Sequence, residues 1–319
     1  MDQTDSGPIM ITGASGLLGA NLVCQWSRQG RSVVALSHRH PVSIKGVKSL
    51  TCDLLDESQT SEVVGAVRPQ WIIHCTAATN VDWCEQNPDE CFRLNVEASR
   101  QLAARAKAIQ ARVIYISTDS VFAGDRGGYS ESDSPVPVNV YAKSKLLGEQ
   151  AVARELPGCL IIRTNIYGWN LQPKSSLAEW MLGQLERKAA FPGFQDVIFS
   201  PILVNDLADC LLEMMALRLE GVFHVAGSEA CNKYEFGQCL ADTFQSDRSL
   251  VQPAKLADAQ LPAPRPRITS LDTSKAARAL GHAMPSLQSG LQRFKALREN
   301  GYAAELKAAG ERGLQECPQ

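Results

Sequence analysis

The chain has 319 residues, 45% of them hydrophobic and 21% charged, which suffices to bury a sizeable core in one large or two interlocked domains. Thirty-two Lys plus Arg against thirty-four Asp plus Glu leave a net charge of -2, with no basic stripe of the kind that tracks a phosphate backbone, so nucleic acid is not expected as a partner. The opening MDQTDSGPIM lacks a basic n-region and no apolar stretch approaches bilayer-spanning length, so a soluble, cytoplasmic protein with no membrane partner is expected.

Apolar runs of strand length alternate with longer segments of helical period, the pattern of an α/β fold whose parallel sheet is covered on both faces. A first strand, Ile9 to Thr12, runs through ITGASGLLG into a helix from Gly16 to Gln29. In that turn Gly13 permits a tight exit from the strand, Gly16 lets backbone N–H groups approach a pyrophosphate, and Gly19 lets the helix lie close against the sheet. Ser15, Leu17 and Leu18 complete a candidate dinucleotide cradle at the helix N-terminus. A second strand, Ser32 to Leu36, continues into Ser37, His38, Arg39 and His40, where such folds usually carry an acid for the ribose 2′-hydroxyl of NAD. With no carboxylate to repel it, a 2′-phosphate can pair with Arg39 and hydrogen-bond to Ser37, with His38 between them. NADP(H) is therefore preferred, and NAD(H) stays open.

The third strand, Ser49 to Cys52, ends at Asp53, whose carboxylate is placed to accept a hydrogen bond from an adenine amino group, and at Leu54, which can pack on the ring. After the fourth strand, Trp71 to Cys75, the small Ala77 and Ala78 let a cofactor lie against backbone. A helix from Pro88 to Ile109 leads to the fifth strand, Arg112 to Ser117, and to the triplet Ser117, Thr118 and Asp119. The next helix, Val140 to Leu156, carries YAKSK, which sets Tyr141 and Lys145 four residues apart on one face. A sixth strand is expected at Cys159 to Arg163, a helix at Asn205 to Arg218 and a seventh strand at Val222 to Val225. Right-handed crossovers then give a Rossmann-like, doubly wound parallel sheet with ligands at the carboxyl ends of its strands.

These residues suggest proton and hydride chemistry. A tyrosine phenol has a pKa of about 10, and a nearby ammonium stabilises its phenolate and lowers that value, so Lys145 reads as the tuner of Tyr141. Lys145 can also reach a nicotinamide ribose. Thr118, or alternatively Ser117, polarises a substrate carbonyl that Tyr141 protonates as hydride arrives from the cofactor.

The strand-helix rhythm breaks from Tyr167 to Phe199 and again after Ala226, where prolines and short helices gather. The reading is a discontinuous NADP-binding domain, residues 1–166 and 200–227, with a smaller, mostly helical substrate-binding domain, residues 167–199 and 228–319. Ser274 to Leu280 and Leu287 to Arg298 read as closing helices, and Ala303 to Gln319 as a frayed surface helix. Ten cysteines and five histidines are scattered without CxxC or HxxxH pairs, so neither a disulfide framework nor a metal site is expected.

The stretches GASGLLG, TNVDWCEQNPDECFRLNVEAS, ISTDSVFAG, YSESDSPVPVNVYAKSKLLGE, IIRTNIYG, SPILVNDLAD and GVFHVAG resemble the dTDP-4-dehydrorhamnose reductases within the extended short-chain dehydrogenase/reductases. That resemblance implies NAD(P)H and reduction of a nucleotide-linked 4-keto-6-deoxyhexose, with Thr118, Tyr141 and Lys145 at the catalytic positions. It also implies that Asn95 supports the lysine through water, and that Arg163 and Asn165 lie near nicotinamide and substrate. Asp82, Trp83, Ser120, Val121 and Phe122 would border the sugar, and a homodimer follows by analogy. Ser120 stands where the family often has tyrosine, SPIL departs from its Pro-Thr pairing, and GWNLQPKSSLAEWML departs from its asparagine-phenylalanine pattern. Lys174 and Arg187 are candidates for a diphosphate or plain surface cations. Sugar-nucleotide dehydratases continue their motif as Thr-Asp-Glu, and Ser120 offers no such acid. Two alternatives to a reductase remain: an epimerase, and a binding subunit resembling the methionine adenosyltransferase beta subunit.

Overall fold

A computed structural model describes residues 7–316; the opening acids, Cys317 and the end of the segment expected to run to Gln319 lie outside the described residues. Seven parallel strands form the central sheet: β1 (Ile9–Thr12), β2 (Val33–Ser37), β3 (Lys48–Thr51), β4 (Trp71–His74), β5 (Arg112–Ile116), β6 (Leu160–Arg163) and β7 (Gly221–His224). Their order is β3-β2-β1-β4-β5-β6-β7, so the chain reverses its direction of winding between β1 and β4, the switch point at which open α/β sheets take ligands. All seven coincide with the expected runs to within a residue or so.

Alternation along the strands builds two cores. Ile9, Ile11, Trp71, Ile73, Leu160 and Ile162 face one side, against α1 (Leu17–Arg28) and the helix Val204–Ala216. Met10, Leu36, Ile72, Val113 and Ile161 face the other, with Leu102, Ala103, Ala106 and Val152 from α2 (Ala98–Ala108) and α3 (Val140–Glu155). The expected helix from Pro88 to Ile109 forms, but it is interrupted by a π-helical turn at Arg93–Glu97. Such turns cluster at functional sites, and this one carries Asn95.

The segments beyond Tyr167 and Ala226 contribute helices at Leu177–Glu186, Lys233–Thr243, Ser274–Leu280 and Leu287–Glu299, with two-stranded pairings between them. The C-terminal helix, Tyr302–Glu316, is not a frayed surface element. Tyr302, Leu306 and Ala309 are buried on one stripe, the Tyr302 hydroxyl donates to Asn21 Oδ1 of α1 at 2.9 Å, and Ser43 N–H donates to Ala309 C=O at 3.1 Å. Its apolar spacing has a surface to cover, and it braces the chain just beyond β2. Among the described residues no helix is long and apolar enough to cross a membrane.

Candidate active site

Because all seven strands are parallel, their carboxyl ends share one edge, and there a cleft of about 1130 Å³ opens. The glycine turn forms its floor. Gly13 holds φ +62 and an added Cβ would sit 2.8 Å from the Thr76 nitrogen, while a Cβ on Gly19 would lie 2.2 Å from the Gly13 oxygen. Both contacts are with backbone, so neither position accepts a side chain. The first turn of α1 carries no acidic residue and Gly16 gives it no side-chain cap, which leaves its N–H groups and dipole directed at the cleft.

Of the residues expected to bind a cofactor, Gly13, Ser15, Gly16, Leu17, Leu18, Gly19, Ser37, His38, Arg39, Asp53, Leu54, Ala77 and Ser117 border the cleft. Ser37 is buried and its hydroxyl has no partner among the described residues, an orphan that suits a ligand oxygen. Asp53 Oδ1 accepts the Leu55 N–H at 3.0 Å, and its other oxygen stands 4.0 Å from His38 Nε2.

Thr118, Tyr141 and Lys145 also meet at this cleft. The Thr118 hydroxyl stands close enough to the Tyr141 phenol to lower its pKa, and Thr118 Oγ1 accepts the Ser120 N–H at 3.2 Å. Tyr141 sits in the first turn of α3, fixed by an Asn139 cap that accepts the Ala142 N–H at 2.8 Å. Lys145, one turn further on, is 3% exposed. Burial pulls its pKa down to about 8, against the opposing pull of the Glu149 carboxylate. Burial also pushes the Tyr141 phenol above its ordinary value, partly offset by Thr118. The net direction at the phenol is upward, and the Lys145 ammonium lies 4.1 Å from the centre of the Tyr115 ring.

Several candidates stand back from the cleft. Ala78 is held by Asn95, whose Oδ1 accepts the Ala78 N–H at 2.7 Å and whose Nδ2 donates to Ser144 Oγ at 2.8 Å. Asn95 is thus a fully buried staple between the loop after β4 and the helix of Lys145, with its direct contacts to Ala78 and Ser144. Arg163 is 5% exposed and forms a two-pronged ion pair with Glu149, at 3.0 Å through Nε and 2.7 Å through Nη2. It does not border the cleft, since the Glu149 carboxylate on α3 turns it inward. Val121 and Phe122 pack fully buried with Tyr129, Ala226 and Leu271, Phe122 stacking on Tyr129 at 4.2 Å. A 3₁₀ turn at Asp119–Val121 leaves Ser120 in the cleft and turns the next two residues into the core. Asp82 pairs with Arg265 at 3.0 Å, whereas its neighbour Trp83 borders the cleft at 36% exposure. Lys174 borders the cleft and Arg187 does not, its guanidinium donating to Gln184 at 3.1 Å.

Sequence reasoning missed one carboxylate, Glu149, and named another, Asp119, without giving it a role. Glu149 accepts the Ser117 hydroxyl as well as Arg163, and its position four residues beyond Lys145 was the available signal. Asp119 is 1% exposed and borders the cleft. It accepts hydrogen bonds from Thr269 at 2.6 Å, Asn165 at 2.8 Å and Thr118 at 3.2 Å. Burial raises its pKa against those bonds and the nearby Lys233 charge. Thr269 could not be foreseen, as it arrives from 150 residues away in sequence.

A glycine turn at the switch point, an acid-free end to β2, and a Thr-Tyr pair on one cleft with a lysine one turn away define an extended short-chain dehydrogenase/reductase. The chain belongs to the family described as the RmlD substrate binding domain, whose model matches residues 7–299. It is 32% identical over 290 residues to the probable low-salt glycan biosynthesis reductase Agl14 of Haloferax volcanii, covering 90% of this chain and 96% of that one. It is 34% identical over 276 residues to the methionine adenosyltransferase 2 subunit beta of Pongo abelii, covering 84% and 80%. The crystal structure of dTDP-4-dehydrorhamnose reductase from Bacillus anthracis in complex with NADP superposes with a TM-score of 0.80 at 29% identity, over 91% of this chain and 99% of that one.

Proposed function

We propose that the protein catalyses NADPH-dependent reduction of the 4-keto group of a nucleotide-linked deoxy sugar. The observation that carries this is that Thr118, Tyr141 and Lys145 border the same cleft as the glycine turn. The fit of the dinucleotide rests on the Ser37 hydroxyl and the Arg39 cation, neither of which has a partner among the described residues, and on the uncapped N-terminus of α1. NADPH, when bound, supplies a hydride to the carbonyl carbon. Thr118 and Tyr141 hold the carbonyl oxygen between them, and the phenol O–H gives up its proton to that oxygen as negative charge develops. Lys145 offers hydrogen bonds to a ribose and its charge disperses that of the phenolate left behind.

The reading divides the chain as the sequence suggests, with residues 1–166 and 200–227 holding the dinucleotide and residues 167–199 and 228–319 facing the sugar nucleotide. All cysteines among the described residues are free and most are buried, which suits a reducing compartment such as the cytoplasm. Trp83, Ser120 and Asn165 stand at the cleft wall where the sugar would lie.

The test incubates the purified protein with NADPH and a panel of nucleotide-linked 4-keto sugars, following 340 nm absorbance (about the nicotinamide band) and identifying the product. Net consumption of NADPH with formation of a 4-hydroxy product is expected, and Tyr141→Phe should lower kcat by about a hundredfold or more. Near-normal turnover by Tyr141→Phe overturns the proposal. The kinship with the methionine adenosyltransferase beta subunit supports a second reading, a dinucleotide-binding regulatory subunit. Co-purification with a transferase subunit and inactivity on the whole panel would favour it, while isomerisation without net NADPH consumption would indicate an epimerase.

A further inference from the structure

The loop between Gly168 and Ser176 belongs by sequence to the sugar-facing half, yet its residues border a cavity together with His40 beyond the second strand. Asn21 of α1 donates to the Trp169 carbonyl at 2.8 Å, and the Trp169 ring stacks on Phe294 at 4.1 Å. Leu171 is buried where a Cβ on Gly310 of the C-terminal helix would meet it. Within the loop, Asn170 Nδ2 donates to the Lys174 carbonyl at 2.8 Å, its Oδ1 accepts the Gln172 N–H at 3.3 Å, and Ser176 Oγ donates to the Gly168 carbonyl at 2.6 Å. The backbone of Lys174 is therefore fixed while its side chain is exposed.

A side cavity of about 220 Å³ adjoins the cleft, and His40, Gln172, Lys174 and Ser175 border both. Lys174 thus shares this cavity with His40, the last residue of the stretch Ser37 to His40, where the second strand ends without a carboxylate. The side cavity also carries Glu179, Lys307 and Glu311. Glu179 is committed to capping the Ser176 N–H at 2.9 Å, and Lys307 and Glu311 offset one another in charge. Among the described residues neither Arg39 nor Lys174 has an ion-pair partner. Of the other cations at the cleft, Lys145 serves the reaction, and Arg93 stands three residues from Glu90 on the same helical segment.

We infer that Lys174 is a second cation for the ribose 2′-phosphate of the dinucleotide, closing on it from the side opposite Arg39. The inference rests on the NADPH reading above and deepens it: discrimination against NADH is shared between the two halves of the chain. Two cations fixed on separate backbones suit a dianionic phosphate, and the prior ordering of the loop keeps the entropic cost of the contact low.

Calorimetric titration of the full chain with adenosine 2′,5′-bisphosphate and with 5′-AMP tests the assignment, using Lys174→Gln, Lys174→Arg and Arg39→Gln. Lys174→Gln should weaken the bisphosphate about tenfold while leaving 5′-AMP within about twofold, and should raise KM for NADPH without raising KM for NADH. Lys174→Arg should retain most of the affinity. Equal weakening of both nucleotides, which would mean a pyrophosphate contact, overturns the inference, as does no change in either. A wild type that binds both nucleotides equally overturns the cofactor reading beneath it, whereas a loss seen with Arg39→Gln but not Lys174→Gln overturns only the role of Lys174.

Discussion

The arrangement behind the catalytic residues makes a strong claim on stability. Glu149 is 3% exposed, accepts the Ser117 hydroxyl and holds Arg163 through two nitrogens. Glu149→Gln keeps the shape but removes the anion, leaving a guanidinium that is 5% exposed, with its Nη1 already unpartnered among the described residues, to face the interior uncompensated. Breaking a buried pair from one side costs about 3–5 kcal/mol. At about 2 °C per kcal/mol for a chain of this size, the melting temperature should fall by roughly 6–10 °C. The substitution also removes the charge that offsets burial at Lys145, so the alkaline limb of kcat/KM should move below the wild-type position. Thermal denaturation at neutral pH and a pH profile on the same samples read both effects. A double variant, Glu149→Met with Arg163→Met, removes both charges and should recover most of the stability without restoring the limb. Melting of Glu149→Gln within about 1 °C of wild type would refute the claim that this pair is a buried, mutually dependent unit.

The pH profile carries a second expectation: with its pKa pulled down to about 8, Lys145 is charged below that pH and neutral above it. An activity that needs the ammonium should therefore fall as pH rises through about 8, and Lys145→Arg, which cannot lose its charge, should carry any residual activity without that limb. Gly19→Ala should weaken NADPH by more than about tenfold and lower the melting point, because its Cβ would press to 2.2 Å on the Gly13 oxygen and push α1 from the turn. Fluorescence titration of NADPH checks it, and wild-type affinity would show the turn more pliable than its backbone contacts imply.

Sheet order and the cofactor end of the cleft were legible because their signals are local. Ile9–Thr12 and Trp71–His74 are fully buried strands that read as apolar runs, and the glycines of the first turn are dictated by backbone approach within a few residues. The spacing of Tyr141 and Lys145 needs only one helical turn. What the sequence did not reveal depends on contacts made at a distance. Whether Arg163 points into the cleft is decided by Glu149, and whether Phe122 lines the sugar pocket is decided by one 3₁₀ turn and the Tyr129 ring. The C-terminal helix reads as a surface element until Asn21 and Ser43 are brought against it. Substrate-side residues are set by such long-range packing, which is why they were the least readable part of the site.

The electrostatic state of the phenol bears on the direction of the reaction. A reductase begins each turnover with Tyr141 protonated and ends with a phenolate to be refilled from solvent. An epimerase begins with the opposite demand, since its first half-reaction takes a proton from a hydroxyl and so needs the phenolate at rest. Burial raises the Tyr141 pKa, and Asp119 beside it adds to the rise, so both act to hold the phenol in its proton-donating form. The Lys145 ammonium, one helical turn from the phenol, lies 4.1 Å from the centre of the Tyr115 ring. The direction of the phenol's shift is the one a proton donor needs.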